Sequence, residues 1–153
     1  DGFDSDFSIG TIENGMFERI GLSKGSGGDA LDFSGSVVEV KDTTIIQVAD
    51  KGISVGERSK IRATNLTIGY AVNAIVVKDG STIVVDRTVV NNSERGLVAI
   101  QKKRGYGSAI LIASEIELNK VLVPYLVERG SELRLDGVRQ NSNVQNGKAV
   151  IYQ

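Results

Sequence analysis

The sequence predicts an all-β protein, a single-stranded right-handed parallel β-helix (a β-solenoid) of about six rungs of roughly 22–24 residues, with three short strands per rung. The first observation behind this prediction is a repeated unit that begins Gly-Ser and continues with alternating apolar residues. Clear copies begin at Gly35, Gly80, Gly107 and Gly130, and a weaker copy begins at Arg58. The serines of these units stand at 36, 59, 81, 108 and 131, so their spacings are 23, 22, 27 and 23 residues. A near-constant period in this range indicates stacked repeats.

The second observation is the alternation of apolar residues inside each repeat, because a period of two is typical of a strand. One apolar pair precedes the serine, as Leu31 and Phe33 do, and another follows it, as Ile110 and Ile112 do. A third pair is present in several repeats and is displaced by one residue in the fourth. Such short strands do not fill hairpin ladders. Parallel stacking of successive turns of chain, about 4.8 Å apart, buries all three apolar faces.

Two other architectures compete with the β-helix. A leucine-rich solenoid needs leucines at fixed positions and helical or long irregular stretches, and neither is present. A β-sandwich needs a turn pair about every 8 to 12 residues. Asp-Gly pairs occur only at 1–2, 79–80 and 136–137. The sandwich is therefore the less favoured alternative.

We interpret residues 1–153 as a single domain and as part of a larger protein, because the chain begins with Asp1 rather than methionine. We expect an imperfect opening rung over 1–27, regular rungs over 28–145 and a terminal strand over 146–153.

Two kinds of residue mark the expected bends of the chain. The glycine-rich run 25–28 predicts a loop, since few side chains restrict its conformation. Asn14, Asp42 and Asn65 fall at equivalent positions of successive repeats. Because Asn and Asp tolerate left-handed backbone, we expect them to form a column at one corner.

Composition excludes several functions. The chain has 18 basic and 19 acidic residues and a net charge of −1, which gives no basic excess for nucleic acid. It contains no cysteine and no histidine, so disulfides, thiolate or imidazole metal sites and His-dependent catalysis are excluded. No apolar run approaches the roughly 18 residues of a transmembrane helix, so we expect no membrane insertion.

The pattern resembles right-handed parallel β-helix repeat proteins of the pectate-lyase-like superfamily, and among them bacterial surface or secreted β-helix domains. The resemblance rests on the runs DALDFSGS at 29–36 and DKGISVGERS at 50–59, and it covers most of 28–137. It implies the fold and an extracellular or cell-surface location. It implies function poorly, because the group includes lyases, hydrolases, epimerases and domains without assigned activity.

The resemblance directs attention to four carboxylates, because superfamily enzymes that act on uronic-acid polymers place calcium-binding carboxylates on one exposed sheet. The candidate metal ligands are Asp4, Asp6, Asp29 and Asp32. Asp6 and Asp32 each begin an Asp-Phe-Ser triplet, so we expect them on adjacent rungs about 5 Å apart. Calcium suits such all-oxygen ligands, and Asp6 with Asp32 is the acid pair if the protein is an enzyme. The alternative interpretation is a set of solvated turn residues that blocks strand addition.

The second candidate site is the insertion at 101–107, which makes the fourth repeat longer than its neighbours. It concentrates Lys102, Lys103 and Arg104 beside Tyr106. Long loops on a rigid repeat scaffold commonly carry binding functions. Arginine pairs with carboxylates and an aromatic ring stacks on a sugar face, so we expect this loop to bind an acidic polysaccharide. The alternative is a solvated bulge whose charges confer solubility.

These observations favour a non-catalytic module that binds carbohydrate, or presents a rigid surface to other domains of its parent chain, in an exported bacterial protein. The alternative is a polysaccharide-processing lyase, epimerase or hydrolase that uses the Asp cluster. A catalytic site requires several carboxylates and a basic residue in one groove, whereas the predicted register places the Asp cluster and the basic loop about three rungs apart.

Overall fold

The computed structural model describes residues 1–23 and 27–152, and this part of the chain is nearly all β. It is 64% strand and 3% helix, and the strands form a mostly parallel, unclosed sheet. The all-β prediction is therefore confirmed. The loop predicted over 25–28 lies partly outside the described residues.

Twelve strands and one helix occur in the described residues. They are β1 (Phe3–Asp6), β2 (Ile9–Glu13), β3 (Met16–Ile20), β4 (Leu31–Ser34), β5 (Val37–Gly56), β6 (Lys60–Lys78), β7 (Thr82–Asn91), β8 (Arg95–Ile100), β9 (Ile110–Asn119), β10 (Val123–Val127), β11 (Glu132–Leu135), β12 (Val138–Arg139) and α1 (Gly147–Ile151). The main path of the sheet runs β1-β4-β5-β6-β7-β9-β11-β12. β2 and β3 pair with β5, and β8 pairs with β6 and β10.

The strands pair in parallel with strands one repeat later in the sequence. β4 pairs with the end of β5 through Leu31 and Ile53, and β5 pairs with β6 from Val37 and Lys60 onward. Side chains alternate along these strands, so every second one points into a shared apolar core. Its largest fully buried members are Phe33, Leu31, Ile45, Ile53, Leu66, Ile68, Ile75, Ile83, Leu97, Leu111 and Leu133.

The fourth repeat departs from the predicted register by one residue. β7 pairs with β9 through Ile83 and Leu111, and Leu111 is fully buried. Ile110 and Ile112, the predicted core pair, are each 38% exposed. The prediction was wrong because it aligned the Gly-Ser pair at 107–108 with the Gly-Ser pairs of the other repeats. The insertion is one residue longer than this alignment assumes, so Ala109 takes the position of the serine.

A column of serine side chains joins successive repeats. Ser59 Oγ accepts the backbone N–H of Ser36 at 3.0 Å, and Ser81 Oγ accepts that of Ser59 at 3.1 Å. In the fourth repeat Ala109 holds this position, and its N–H donates to Ser131 Oγ at 3.1 Å. Ser108, which the sequence placed in the column, is exposed outside it. The serines thus satisfy buried N–H groups that the strand ladder leaves without partners.

The predicted corner column is confirmed. Asn14, Asp42 and Asn65 have φ angles of 53°, 47° and 55°, in the left-handed region. Asn65 Nδ2 donates to Asp42 Oδ1 at 2.5 Å, so adjacent corners are also linked through their side chains. The column continues through Arg87, which has φ of 48°. Left-handed backbone is unfavourable for arginine, so neighbouring strands impose the conformation there.

The last described residues form a helix rather than the terminal strand predicted over 146–153. Helix α1 is capped by Asn146, whose side chain accepts the N–H of Ala149. We call residues 143–152 the covering segment, because its apolar side chains pack on the outer face of the sheet formed by β6, β8 and β10. The outer face contributes four side chains to this contact: Val76, Val98, Ile100 and Leu126. The covering segment contributes Val144, Val150, Ile151 and Tyr152. None of the described helices has the length and apolar character needed to cross a bilayer.

Candidate binding site

The insertion between β8 and β9 is held against the sheet by one buried carboxylate. Asp79 Oδ1 accepts the backbone N–H groups of Lys102 at 2.7 Å and Lys103 at 2.6 Å. Asp79 is fully buried at the end of β6, in left-handed backbone with φ of 56°. Gly80 follows with φ of 68°, and a Cβ there would collide with the carbonyl oxygen of Tyr106. Close packing of the insertion therefore requires both residues.

A cleft of about 630 Å³ lies between the insertion and the covering segment. Ligand sites in proteins commonly have volumes of this order. The cleft is lined by Gln101, Lys102, Lys103, Arg104, Glu128, Gln145, Asn146 and Lys148. We call it the basic cleft, because four of these eight residues are cationic and one is acidic.

Most of the positive charge in the basic cleft is not neutralised by the protein. Of its four cations, only Lys103 forms an ion pair within residues 1–23 and 27–152, and its partner is Glu57. Glu128 Oε2 accepts the backbone N–H of Gln101 at 2.5 Å, so the single carboxylate is already engaged. Arg104 and Lys148 are exposed. The cleft therefore favours an anionic ligand.

Three of the four residues predicted to bind the ligand line the basic cleft, and Tyr106 does not. The Tyr106 ring packs at the base of the insertion, 5.5 Å from the Arg58 guanidinium carbon and 5.8 Å from Lys103 Nζ. Its interactions thus support the loop rather than present a stacking face in the cleft. A second ring, that of Tyr152, also contacts a residue of the cleft: its centroid lies 4.2 Å from Lys102 Nζ.

The four predicted metal ligands are brought together only in part. Asp4, rather than Asp6, is the register partner of Asp32, and Asp6 pairs with Ser34. The predicted register of the opening repeat was wrong because the two Asp-Phe-Ser triplets resemble each other without occupying equivalent positions. Asp29 is buried and faces Lys51. The described residues contain no group of three or more carboxylates that would hold a metal ion. Calcium binding by these residues stays a prediction.

Lysine ammonium groups lie beside Asp29 and Asp32, on the outer face of β4 to β6. Lys51 Nζ lies 3.2 Å from Asp29 Oδ1 and also contacts Asp50. Burial alone would lower the pKa of Lys51, but these two carboxylates outweigh burial and hold it above its usual value. Lys78 Nζ lies 3.9 Å from Asp32 Oδ1. The structure thus places ammonium groups beside carboxylates that the sequence assigned to calcium.

Lys78 has a second partner, the hydroxyl of Ser54, to which its Nζ donates at 2.5 Å. Burial lowers the pKa of Lys78, and the nearby Asp32 carboxylate offsets this only in part. A lysine of lowered pKa beside a serine is an arrangement that activates serine nucleophiles. Ser54 is fully buried, however, so a substrate does not reach its oxygen in this arrangement. The pair therefore acts as a structural contact here.

A separate groove of about 540 Å³ runs across the outer face of β2, β5, β6 and β7. Its lining mixes exposed apolar residues such as Ile9 and Val37 with the charged residues Glu39, Lys60 and Arg62. Charges of both signs therefore lie side by side on this face. Such a mixture favours neither an anionic nor a cationic ligand.

Sequence reasoning missed several residues of the site. Lys148 and Tyr152 were assigned to a terminal strand, and the Asn146 capping position before Gly-Lys-Ala was the signal that would have predicted a helix. Asp79 was treated only as part of an Asp-Gly turn. Its hydrogen bonds to residues 23 and 24 positions later have no local signal in the sequence.

Comparison with known proteins gives no match to a family model, a curated protein or a solved structure. The resemblance to the pectate-lyase-like superfamily therefore stays a prediction. Arguments about function rest on the geometry of the site.

Proposed function

We propose that the chain is a right-handed parallel β-helix with the general architecture of the pectate-lyase-like superfamily. Support comes from the parallel register between strands one repeat apart and from the left-handed corners. Within one repeat the chain turns at Gly35, Asp42 and Gln47, with φ angles of 62°, 47° and 59°. Three corners per repeat fit three short strands wound around one core.

We propose further that this β-helix is a non-catalytic module that binds an acidic carbohydrate in the basic cleft and presents it on a rigid surface. The observation that carries this proposal is the excess of positive charge: four cations and one carboxylate line the cleft, and of the four only Lys103 forms an ion pair within the described residues. Acidic polysaccharides occur mainly outside the cell, so the proposal includes an exported protein of a bacterium.

The lining residues support recognition of both parts of an acidic sugar. Arg104 offers a planar guanidinium that pairs with a carboxylate through two hydrogen bonds. Lys148 adds a point charge from the opposite wall of the cleft. The side-chain amides of Gln101, Gln145 and Asn146 offer donors and acceptors to sugar hydroxyls.

The test is isothermal titration calorimetry with tetragalacturonate, an acidic tetrasaccharide, and with a neutral tetrasaccharide as comparison. We expect binding of the acidic oligosaccharide only, and affinity that falls as salt rises, because charges at the cleft are screened. Arg104→Glu and Lys148→Glu should each weaken binding at least about tenfold, since each replaces an attractive contact by a repulsive one.

Arg62→Glu is the matched control, because Arg62 is exposed on a different face and undergoes the same charge change. It should leave affinity nearly unchanged. Equal binding of acidic and neutral oligosaccharides, or equal losses in all three variants, would disprove recognition in the basic cleft. Titrations with and without calcium test whether a metal contributes.

The alternative proposal is a polysaccharide-processing enzyme that uses Asp6 and Asp32. It has less support, because these carboxylates are not register partners and Asp6 pairs with Ser34 instead. Loss of a polysaccharide-cleaving activity on Asp32→Asn would favour the enzyme over the binding module.

A further inference from the structure

We propose that Tyr152 regulates the basic cleft by competing with the anionic ligand for the ammonium group of Lys102. This inference rests on the proposed function, since it concerns the same cleft. Lys102 lines the cleft, and its Nζ lies 4.2 Å from the centre of the Tyr152 ring. Cations are attracted to aromatic faces at this distance. The protein therefore supplies its own partner for a cation that a ligand would use.

The competition follows from the geometry of a single ammonium group. A carboxylate of the ligand would draw Lys102 Nζ toward the cleft and away from the ring. The ring makes a second contact of the same kind, at 5.0 Å from Lys51 Nζ. Tyr152 is anchored through the covering segment, whose apolar side chains pack on the outer face of the sheet. Ligand binding must therefore overcome an existing interaction before it gains Lys102.

The buried position of Tyr152 leaves one polar atom without a hydrogen bond, which weakens the hold of the protein on the ring. Its hydroxyl is buried and has no hydrogen-bond partner among the described residues. A buried polar atom without a partner destabilises the arrangement that buries it. Burial, followed by the charges of nearby carboxylates such as Asp29 and Asp50, raises the pKa of the hydroxyl. The phenol stays neutral, so only its ring faces attract Lys102.

The experiment compares the affinity of Tyr152→Leu and Tyr152→Phe for tetragalacturonate with that of the unchanged protein. Leucine keeps an apolar contact but lacks the aromatic face, so we expect about 3- to 10-fold tighter binding, the range that corresponds to a cation–π contact. Phenylalanine keeps the ring and removes the unsatisfied hydroxyl. It should raise the melting temperature and leave affinity unchanged or reduced.

Tyr70→Leu is the matched control, because Tyr70 is 59% exposed and does not line the cleft. The decisive measurement is a double-mutant cycle with Lys102→Met. In the Lys102→Met background Tyr152→Leu should give no gain in affinity, because that gain depends on the ammonium group of Lys102. Tighter binding that persists in this background, or a Tyr152→Leu variant that binds no better than the unchanged protein, would overturn the proposal.

A readout without carbohydrate separates this inference from the proposed function. The rate of Lys102 acetylation by acetic anhydride, followed by mass spectrometry, should rise in Tyr152→Leu and stay constant in Tyr152→Phe. If tetragalacturonate binds to none of the variants, the proposed function and the competition both fail, and the acetylation rate still decides whether Tyr152 restrains Lys102. An unchanged rate in Tyr152→Leu would contradict the restraint itself.

Discussion

The carboxylate of Asp79 accepts the backbone N–H of Lys103 at 2.6 Å, although 24 positions separate the two residues in the sequence. The same oxygen accepts the N–H of Lys102, so one buried side chain fixes the start of the insertion. The basic cleft depends on this contact, because Lys102 and Lys103 line it. A residue with no place in the lining therefore controls the shape of the site.

Asp79→Ala should lower the free energy of unfolding by about 2–3 kcal/mol, since it removes hydrogen bonds to a charged acceptor. Amide hydrogen exchange at Lys102 and Lys103 should accelerate. Asp79→Asn is the matched control: its side-chain oxygen still accepts both bonds, and asparagine tolerates the left-handed backbone. Exchange rates that are equal in the two variants would contradict the role of Asp79 in holding the insertion.

Ser59→Ala should cost about 1–3 kcal/mol of stability, because it leaves the buried N–H of Ser36 without an acceptor. Ser108→Ala should cost less than about 0.5 kcal/mol, since Ser108 is exposed outside the serine column. Urea denaturation of the two variants measures both values. A loss at Ser108 as large as that at Ser59 would restore the register expected from the sequence and contradict the observed one.

Arg87→Asn should stabilise the protein by about 0.5–1 kcal/mol, because asparagine adopts left-handed backbone more readily than arginine. Arg87 is exposed, and its ion pair with Asp86 at 3.4 Å contributes little in water. Arg62→Asn, also exposed but without left-handed backbone, should be neutral or destabilising. Thermal unfolding measures the difference, and a lower melting temperature for Arg87→Asn would refute the argument.

The stability contributed by Lys78 should increase with pH. Burial lowers the pKa of Lys78 in the folded protein below its usual value of 10.5. At pH values between the lowered pKa of the folded protein and 10.5, the unfolded chain binds a proton that the folded protein does not. Unfolding therefore becomes less favourable as pH rises through this range. This contribution is lost as pH falls through the folded pKa.

Lys78→Met removes the group that binds this proton on unfolding. The unfolding free energy of the unchanged protein minus that of Lys78→Met should therefore grow as pH rises toward 10.5. Urea denaturation of both proteins at several alkaline pH values provides the comparison. A difference that is constant or shrinks with pH would show that Lys78 titrates normally.

Alternation and period in the sequence were sufficient to predict an all-β protein with parallel pairing, because core positions such as Phe33 and Val85 recur at a regular spacing. The corner column was also predictable, since Asn14, Asp42 and Asn65 carry a residue-specific backbone preference. These features are local, and each is encoded by the residues that form it.

Register across the insertions was not predictable, because it depends on how many residues a bend accommodates. One extra residue moved Ile110 from the core to the surface and placed Ala109 where Ser108 was expected. The contact between Ser54 and Lys78 depends on the same long-range register. Only part of the basic cleft could be predicted. Residues 102–104 are consecutive in the sequence, so they were recognised together, whereas Lys148 comes from a helix more than forty positions later.

Paired strands of this protein keep the same sheet although the number of residues between the paired positions differs. Leu31 pairs with Ile53, 22 positions later, while Thr82 pairs with Ile110, 28 positions later, and both pairs belong to the same sheet. The six additional residues lie between β8 and β9, outside the strand ladder. A bend that already holds six additional residues without disturbing the ladder is a place where a foreign peptide can be inserted and displayed.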